Sequence, residues 1–173
     1  FTELVDYIRF VQKLFLEKYQ LFDENKNLLT SKEATVFFMK NADYSALAAQ
    51  FGTPLYIYDF DEIGQRYTAL KSQFGAHKSL ICYAVKANSN LSILKLLAGL
   101  GAGFDCVSIN EVKRAVLAGA KPYQIIFSGV GKSDDEIKTA LEIGILMLNI
   151  ESGAELERVE AVAKKKKKKA NIS

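Results

Sequence analysis

Two hydrophobic rhythms divide the chain. Near the N-terminus, Phe1, Leu4, Val5, Ile8, Val11, Leu14 and Phe15 recur at helical spacing and predict one amphipathic helix. Asp23-Glu24-Asn25-Lys26-Asn27 reads as a turn, and Thr30-Ser31-Lys32-Glu33 as a capping-box-like start of a second short helix. Residues 1–40 are thus expected to be a helical extension whose apolar stripe docks on the body of the protein or on a partner. From Ala42 the rhythm changes. Residues 44–51 read as a helix broken by Gly52-Thr53-Pro54, residues 55–59 as a strand, and residues 61–74 as a helix ending at Gly75. Four strand–helix units follow: 79–85 with 90–100, 104–107 with 109–118, 124–128 with 133–143, and 145–150 with 153–165. Gly101, Gly119 and Gly144 stop the first three helices, a lysine run stands where the fourth stop belongs, and Ala170-Asn171-Ile172-Ser173 opens a fifth strand.

Consecutive βα units with glycine stops predict an α/β fold on a parallel sheet. Short units without a long crossover suit a (β/α)8 barrel better than a doubly wound sheet, and a full barrel takes about 200–250 residues. Residues 41–173 therefore accommodate an incomplete barrel, about half of its units.

Composition narrows the class. The 49% hydrophobic content supports one sizeable core, and no stretch approaches the roughly 20 apolar residues of a membrane span. Cys82 and Cys106 fall inside apolar runs, as reduced core residues of a cytoplasmic protein do, and His77 is the one histidine, so no His-rich metal cluster is expected. The net charge of +3 rests on the unbroken run Lys164–Lys169; without those six lysines it is −3. A terminal lysine block reads as a solvated helix end rather than a nucleic-acid surface, which spreads basic residues over a face and interleaves aromatic ones.

Polar groups gather where strands end. Ser79-Leu80-Ile81-Cys82-Tyr83-Ala84-Val85 is nearly continuously apolar, as a strand covered on both faces is. Lys86 follows it, and Asn88-Ser89-Asn90 then supplies helix-cap chemistry. A lysine at the carboxyl end of a barrel strand lies at the catalytic rim, where partial desolvation lowers its pKa and favours Schiff-base chemistry. A snorkelling lysine at a strand terminus gives the same pattern, so the residues alone leave both readings open. Asp105, followed by Ser108 and Glu111, stands one strand on; its carboxylate either stabilises a cationic imine at Lys86 or serves as a helix N-terminal charge. Ser128-Gly129-Val130-Gly131-Lys132-Ser133 mimics the end of a phosphate-binding loop, but the pattern needs a glycine where Ile126 stands. Its backbone amides retain the capacity to meet an anion.

Tyr83-Ala84-Val85-Lys86-Ala87-Asn88 together with Gly103-Phe104-Asp105-Cys106-Val107-Ser108-x-x-Glu111 resembles the fold-type III pyridoxal-phosphate decarboxylases. Gly52-Thr53-Pro54-Leu55-Tyr56-Ile57-Tyr58-Asp59 and Ile126-Phe127-Ser128-Gly129-Val130-Gly131-Lys132-Ser133-x-x-Glu136-Ile137 are similar to the diaminopimelate decarboxylase branch. The resemblance runs from about Asp43 to Ser173, and Met39-Lys40-Asn41 sits where a family member would start. It implies a barrel of the alanine-racemase-like type, pyridoxal 5'-phosphate as cofactor, and decarboxylation of meso-diaminopimelate to L-lysine. Lys86 would be the Schiff-base lysine, Asp105 its catalytic partner, and Ala84, Asp105 and Glu111 cofactor neighbours. The ring-stacking histidine, glycine-rich phosphate loop, pyridine-facing glutamate and C-terminal β domain of the family have no counterpart here. Those parts complete active sites shared across a homodimer, so the chain by itself is expected to be inactive. Ornithine- or arginine-type decarboxylation and racemase-like chemistry stand as alternatives, as does a non-catalytic fragment whose N-terminal helix binds a partner.

Overall fold

The structure is a computed structural model that describes residues 30–31, 34–37, 43–75 and 77–173, the first two segments by backbone pairing alone. The amphipathic helix expected near the N-terminus lies outside the described residues. Two compact units divide between Ile63 and Gly64.

In the first unit, β1 (Thr30–Ser31) pairs antiparallel with β2 (Ala34–Phe37), and β2 pairs in parallel with β3 (Ile57–Asp59). The second short helix expected from Thr30 is therefore replaced by strand. Ala34-Thr35-Val36-Phe37 is rich in β-branched and aromatic residues, and those strand formers outweigh the cap signal before them. Between β2 and β3 lies α1 (Tyr44–Phe51), capped by Asp43, whose carboxylate accepts from the Ser45 and Ala46 N–H groups. The unit boundary falls inside α2 (Phe60–Gln73).

The second unit is a regular βα array. Strands β4 (Cys82–Ala84), β5 (Gly103–Cys106), β6 (Ile125–Phe127) and β7 (Met147–Leu148) form one parallel sheet in sequence order. Helices α3 (Leu91–Gly99), α4 (Ile109–Leu117), α5 (Asp134–Ile143) and α6 (Gly153–Lys166) follow the strands in turn. The fifth strand begins as expected: Ile172 bridges Leu148 in parallel, and the Ile150 N–H donates to the Ser173 carbonyl at 2.8 Å.

The two faces of this sheet differ. Val85, Phe104, Cys106, Ile125, Phe127 and Leu148 are fully buried on the helix side, against Leu94, Val112, Ile137 and Val159. Ala84, Asp105, Ile126 and Met147 form one register row on the other face, and each is only half-buried. The nearly continuous apolar run before Lys86 thus has one covered face, and Leu80 is exposed ahead of a strand of three residues. Gly103 is required by close approach. A Cβ there would stand 2.6 Å from the Cys82 sulfur and 2.8 Å from the Gln124 carbonyl oxygen.

The lysine run ends α6. Lys164 pairs with Glu160 one turn back, Lys166 with Glu142 on α5 at 3.0 Å, and the Lys168 ammonium donates to the Leu141 carbonyl at 2.8 Å. Lys167 occupies the left-handed position usual for glycine, at φ 52° and ψ 38°. Lys167→Gly is expected to raise stability by about 1 kcal/mol, because left-handed backbone costs a side-chain-bearing residue that much. Urea unfolding of the protein carrying this chain is the check.

Candidate active site

Lys86 is held by its neighbours rather than by its own side chain. Val85 is wholly buried and turns the end of β4 into a single 3-10 turn, Val85–Ala87. Asn88 stops that turn: its side-chain oxygen accepts from the Asn90 N–H at 3.0 Å, and its carbonyl accepts from the Tyr83 hydroxyl at 3.3 Å. The Asn90 side chain then caps α3 through the Ser92 N–H at 2.9 Å. Between these fixed points Lys86 projects from the carboxyl end of the strand and is exposed. Among the described residues its ammonium has no hydrogen-bond or ion-pair partner. That exposure differs from the partly covered position expected of it.

Asp105 lies across from Ala84 in the β4–β5 register, two residues from Lys86 in that frame. The two do not form an ion pair. Instead Asp105 Oδ1 accepts the Ser128 hydroxyl at 2.5 Å, and Ser128 Oγ accepts from Asn149 Nδ2 at 2.9 Å. The expected N-terminal charge role falls to Glu111. Its carboxylate accepts from the Val107 N–H at 2.7 Å, while the Ser108 hydroxyl accepts from the Glu111 N–H at 3.3 Å. The cysteines flanking this row are poor nucleophiles. Burial, then the Asp105 charge, pushes the Cys82 thiol up; burial, then Glu111 and Asp105, pushes Cys106 far higher.

The phosphate-loop lookalike has a different role. Lys132 is 2% exposed, and its three ammonium protons are all spent: on the Gly129 carbonyl at 2.7 Å, the Asn149 carbonyl at 2.7 Å and Glu155 Oε1 at 2.8 Å. Glu155 Oε2 accepts from the Glu151 N–H at 2.8 Å, and the Gly129 N–H is taken by Glu151 Oε1. The Lys132 ammonium and the Gly129 N–H are thus both taken by protein acceptors. Burial pushes the Glu155 carboxyl up, but the Lys132 bond, the Glu151 N–H and the Lys132 and Arg158 charges outweigh it and leave it below the usual 4.5.

Lys86, Ala84, Asp105 and Glu111 stand out in the residue order, as do Ser128 and Lys132 as members of the polar stretch after β6, but nothing there marks Asn149 or Glu155 as their partners. A signal existed. Ser108-x-x-Glu111, Ser133-x-x-Glu136 and Ser152-x-x-Glu155 repeat one cap at the start of three successive helices. Polar residues directly after β6 and β7 are what a rim at this end of the sheet would use.

A parallel βα array whose strands run in sequence order, with Lys86 at the carboxyl end of one of them, is part of a (β/α)8 barrel. The model of the family "pyridoxal-dependent decarboxylase, pyridoxal binding domain" matches residues 60–172, and the chain belongs to that family. Over 131 residues it is 60% identical to the diaminopimelate decarboxylase of Campylobacter jejuni and 56% identical to that of Helicobacter pylori. These matches cover 76% of this chain, which spans about a third of each relative's length. The crystal structure of the Helicobacter pylori enzyme complexed with L-lysine superimposes with a TM-score of 0.73 at 55% identity, over 75% of this chain and 33% of that one. A lysine/ornithine decarboxylase from Vibrio vulnificus complexed with cadaverine gives a TM-score of 0.63 at 30% identity, over 68% and 32%.

Lys132→Met is expected to destabilise the protein by about 3–5 kcal/mol at neutral pH, since it strands a buried carboxylate. Because the folded-state pKa of Glu155 is depressed, its pairing stabilises above the unfolded carboxyl range and is lost as pH falls through the folded value. The difference between variant and wild type therefore shrinks on acidification, which urea unfolding at decreasing pH will show.

Proposed function

We propose that the full-length protein to which this chain belongs is a diaminopimelate decarboxylase, converting meso-2,6-diaminopimelate to L-lysine and carbon dioxide, the last step of lysine biosynthesis. The observation that carries the reading is Lys86: an amine without a protein partner, fixed at the carboxyl end of β4 beside the half-buried row that begins with Ala84 and Asp105. The donor set fits the aldehyde end of pyridoxal phosphate, because the amine is the group that condenses with it. The small Ala84 leaves space beside the amine, and Asp105 supplies a carboxylate near a site of positive charge. When bound, pyridoxal phosphate supplies an electron sink for the pair left behind as carboxylate departs.

Lys86 would hold the cofactor and move a proton at its own nitrogen. Asp105 would stabilise positive charge at that end of the site. Glu111 belongs to the cofactor-binding set through the cap it closes, which fixes the backbone directly after β5. The diaminopimelate substrate is favoured over ornithine or arginine by the names of the relatives at 60% and 56% identity. Residues 41–173 are read as the N-terminal part of the barrel domain, with residues 1–40 as an extension. A homodimer with shared active sites, in the cytoplasm, completes the reading; no helix among the described residues is long and apolar enough to cross a membrane.

Purified full-length protein is expected to carry a borohydride-reducible lysine–pyridoxal linkage that Lys86→Ala abolishes, mapped by peptide mass spectrometry. Carbon dioxide release should be far faster from diaminopimelate than from ornithine or arginine. A reducible linkage persisting in the Lys86→Ala protein would refute the assignment, and preference for ornithine would move the protein to the other branch.

A further inference from the structure

We propose that Ser128 and Asn149 are positioning residues for Asp105, joined to it in a directed hydrogen-bond relay across three strand ends. Asp105 lies in β5, Ser128 directly follows β6, and Asn149 directly follows β7. The direction of the relay is set by chemistry. A carboxylate only accepts, so the bond between Ser128 Oγ and Asp105 Oδ1 uses the single proton of the hydroxyl. With that proton spent, Ser128 Oγ can only accept from Asn149, whose amide must therefore present Nδ2, as it does at 2.9 Å. Each member thus fixes the orientation of the next, ending on the acceptor that makes the strongest kind of hydrogen bond. Among the described residues, Oδ1 is the Asp105 oxygen that receives a bond, so the relay sets the plane of the carboxylate and leaves Oδ2 unclaimed by the protein.

The far end of the relay is anchored. The Asn149 N–H donates to the Phe127 carbonyl at 3.0 Å, and its carbonyl accepts from buried Lys132 at 2.7 Å. The same ammonium grips the Gly129 carbonyl, next to Ser128. Both relay residues therefore hang from backbone held by one buried cation, whereas Asp105 faces the half-buried side of the sheet. This arrangement suits a carboxylate whose angle matters more than its mere presence.

The proposal rests on the reading of Asp105 as the carboxylate that serves Lys86 and the pyridoxal group. In the full-length protein, Ser128→Ala should lower kcat by about 10- to 100-fold with little change in KM, the effect of losing a hydrogen bond to a charged group. It should also raise the dissociation constant for pyridoxal phosphate, read by absorbance titration, by about tenfold. Ser128→Thr keeps the hydroxyl and should retain both values. Asn149→Ala should lower kcat less, and should add nothing in the Ser128→Ala background, because the relay is then already cut. Equal damage from Ser128→Thr and Ser128→Ala, additive effects of the two alanine variants, or a Ser128→Ala protein with wild-type kcat and affinity would each overturn the relay. If Ser128→Ala fails to fold, the contrast between Asn149→Ala and Ser128→Thr decides: impairment of the first alone supports the relay, and any other pattern overturns it. Wild-type protein without a Lys86-dependent reducible linkage would overturn the cofactor reading itself, and the relay with it.

Discussion

The Lys132 ammonium ties the later half of the sheet to its loops. Its partners come from three places: the loop after β6, the backbone after β7 and the first turn of α6. An ammonium buried to this degree is tolerated only when every proton is matched and the charge is balanced. Among the described residues no buried side-chain nitrogen or oxygen lacks a partner, so that condition is met. The strand ends that carry polar groups are therefore held in a fixed relation, and the relay to Asp105 inherits that order. A buried ion pair is a poor source of net stability, but it is intolerant of rearrangement, which is what a rim of polar side chains needs.

The two faces of the sheet differ in what they exclude from water. On the helix side, large apolar side chains are excluded from water, and their loss would leave cavities in a close-packed layer. On the other side, Ala84, Asp105, Ile126 and Met147 share one row with water-accessible surface. A period of two along each strand assigns every residue to one layer or the other, so a one-residue slip in β5 would exchange Phe104 for Asp105. Gly103 guards that register, since its neighbours approach too closely for any side chain.

Much of this was legible in the residue order because βα units announce themselves locally. The alternation of apolar runs with capped amphipathic stretches placed all four helices of the second unit within a residue or two of their bounds, and it placed Lys86 after a strand. Residues 79–85 carry a nearly continuous apolar run, but the strand proper is Cys82–Ala84 and Leu80 is exposed, because an apolar run by itself fixes neither ladder bonds nor burial. The segment near Thr30 was misread because a four-residue cap signal is weaker than the strand preference of Ala34-Thr35-Val36-Phe37. Lys132 resisted assignment for another reason. Its counter-ion lies in the next unit, and pairing at that distance leaves no periodic trace. Ser128 and Asn149 are short polar residues of the kind that loops contain for many reasons, and only the side-by-side arrangement of strands makes them neighbours.

The repeated serine–glutamate caps have a consequence for the order in which the array assembles. In two of the three, the bonds that close the helix start join residues no more than four positions apart, Val107 with Glu111 and Glu151 with Glu155. Such closures cost little chain entropy and need no other unit to be present. Two of these glutamates also reach the preceding unit: Glu155 accepts from Lys132 at 2.8 Å, and Glu136 accepts from the Ile109 N–H at the start of α4 at 3.2 Å. The middle cap therefore acts as a clasp between neighbours, so that α4 and α5 are registered to each other by a carboxylate as well as by their strands. An array that grows along the chain thus carries its own alignment mark in the middle of the sheet.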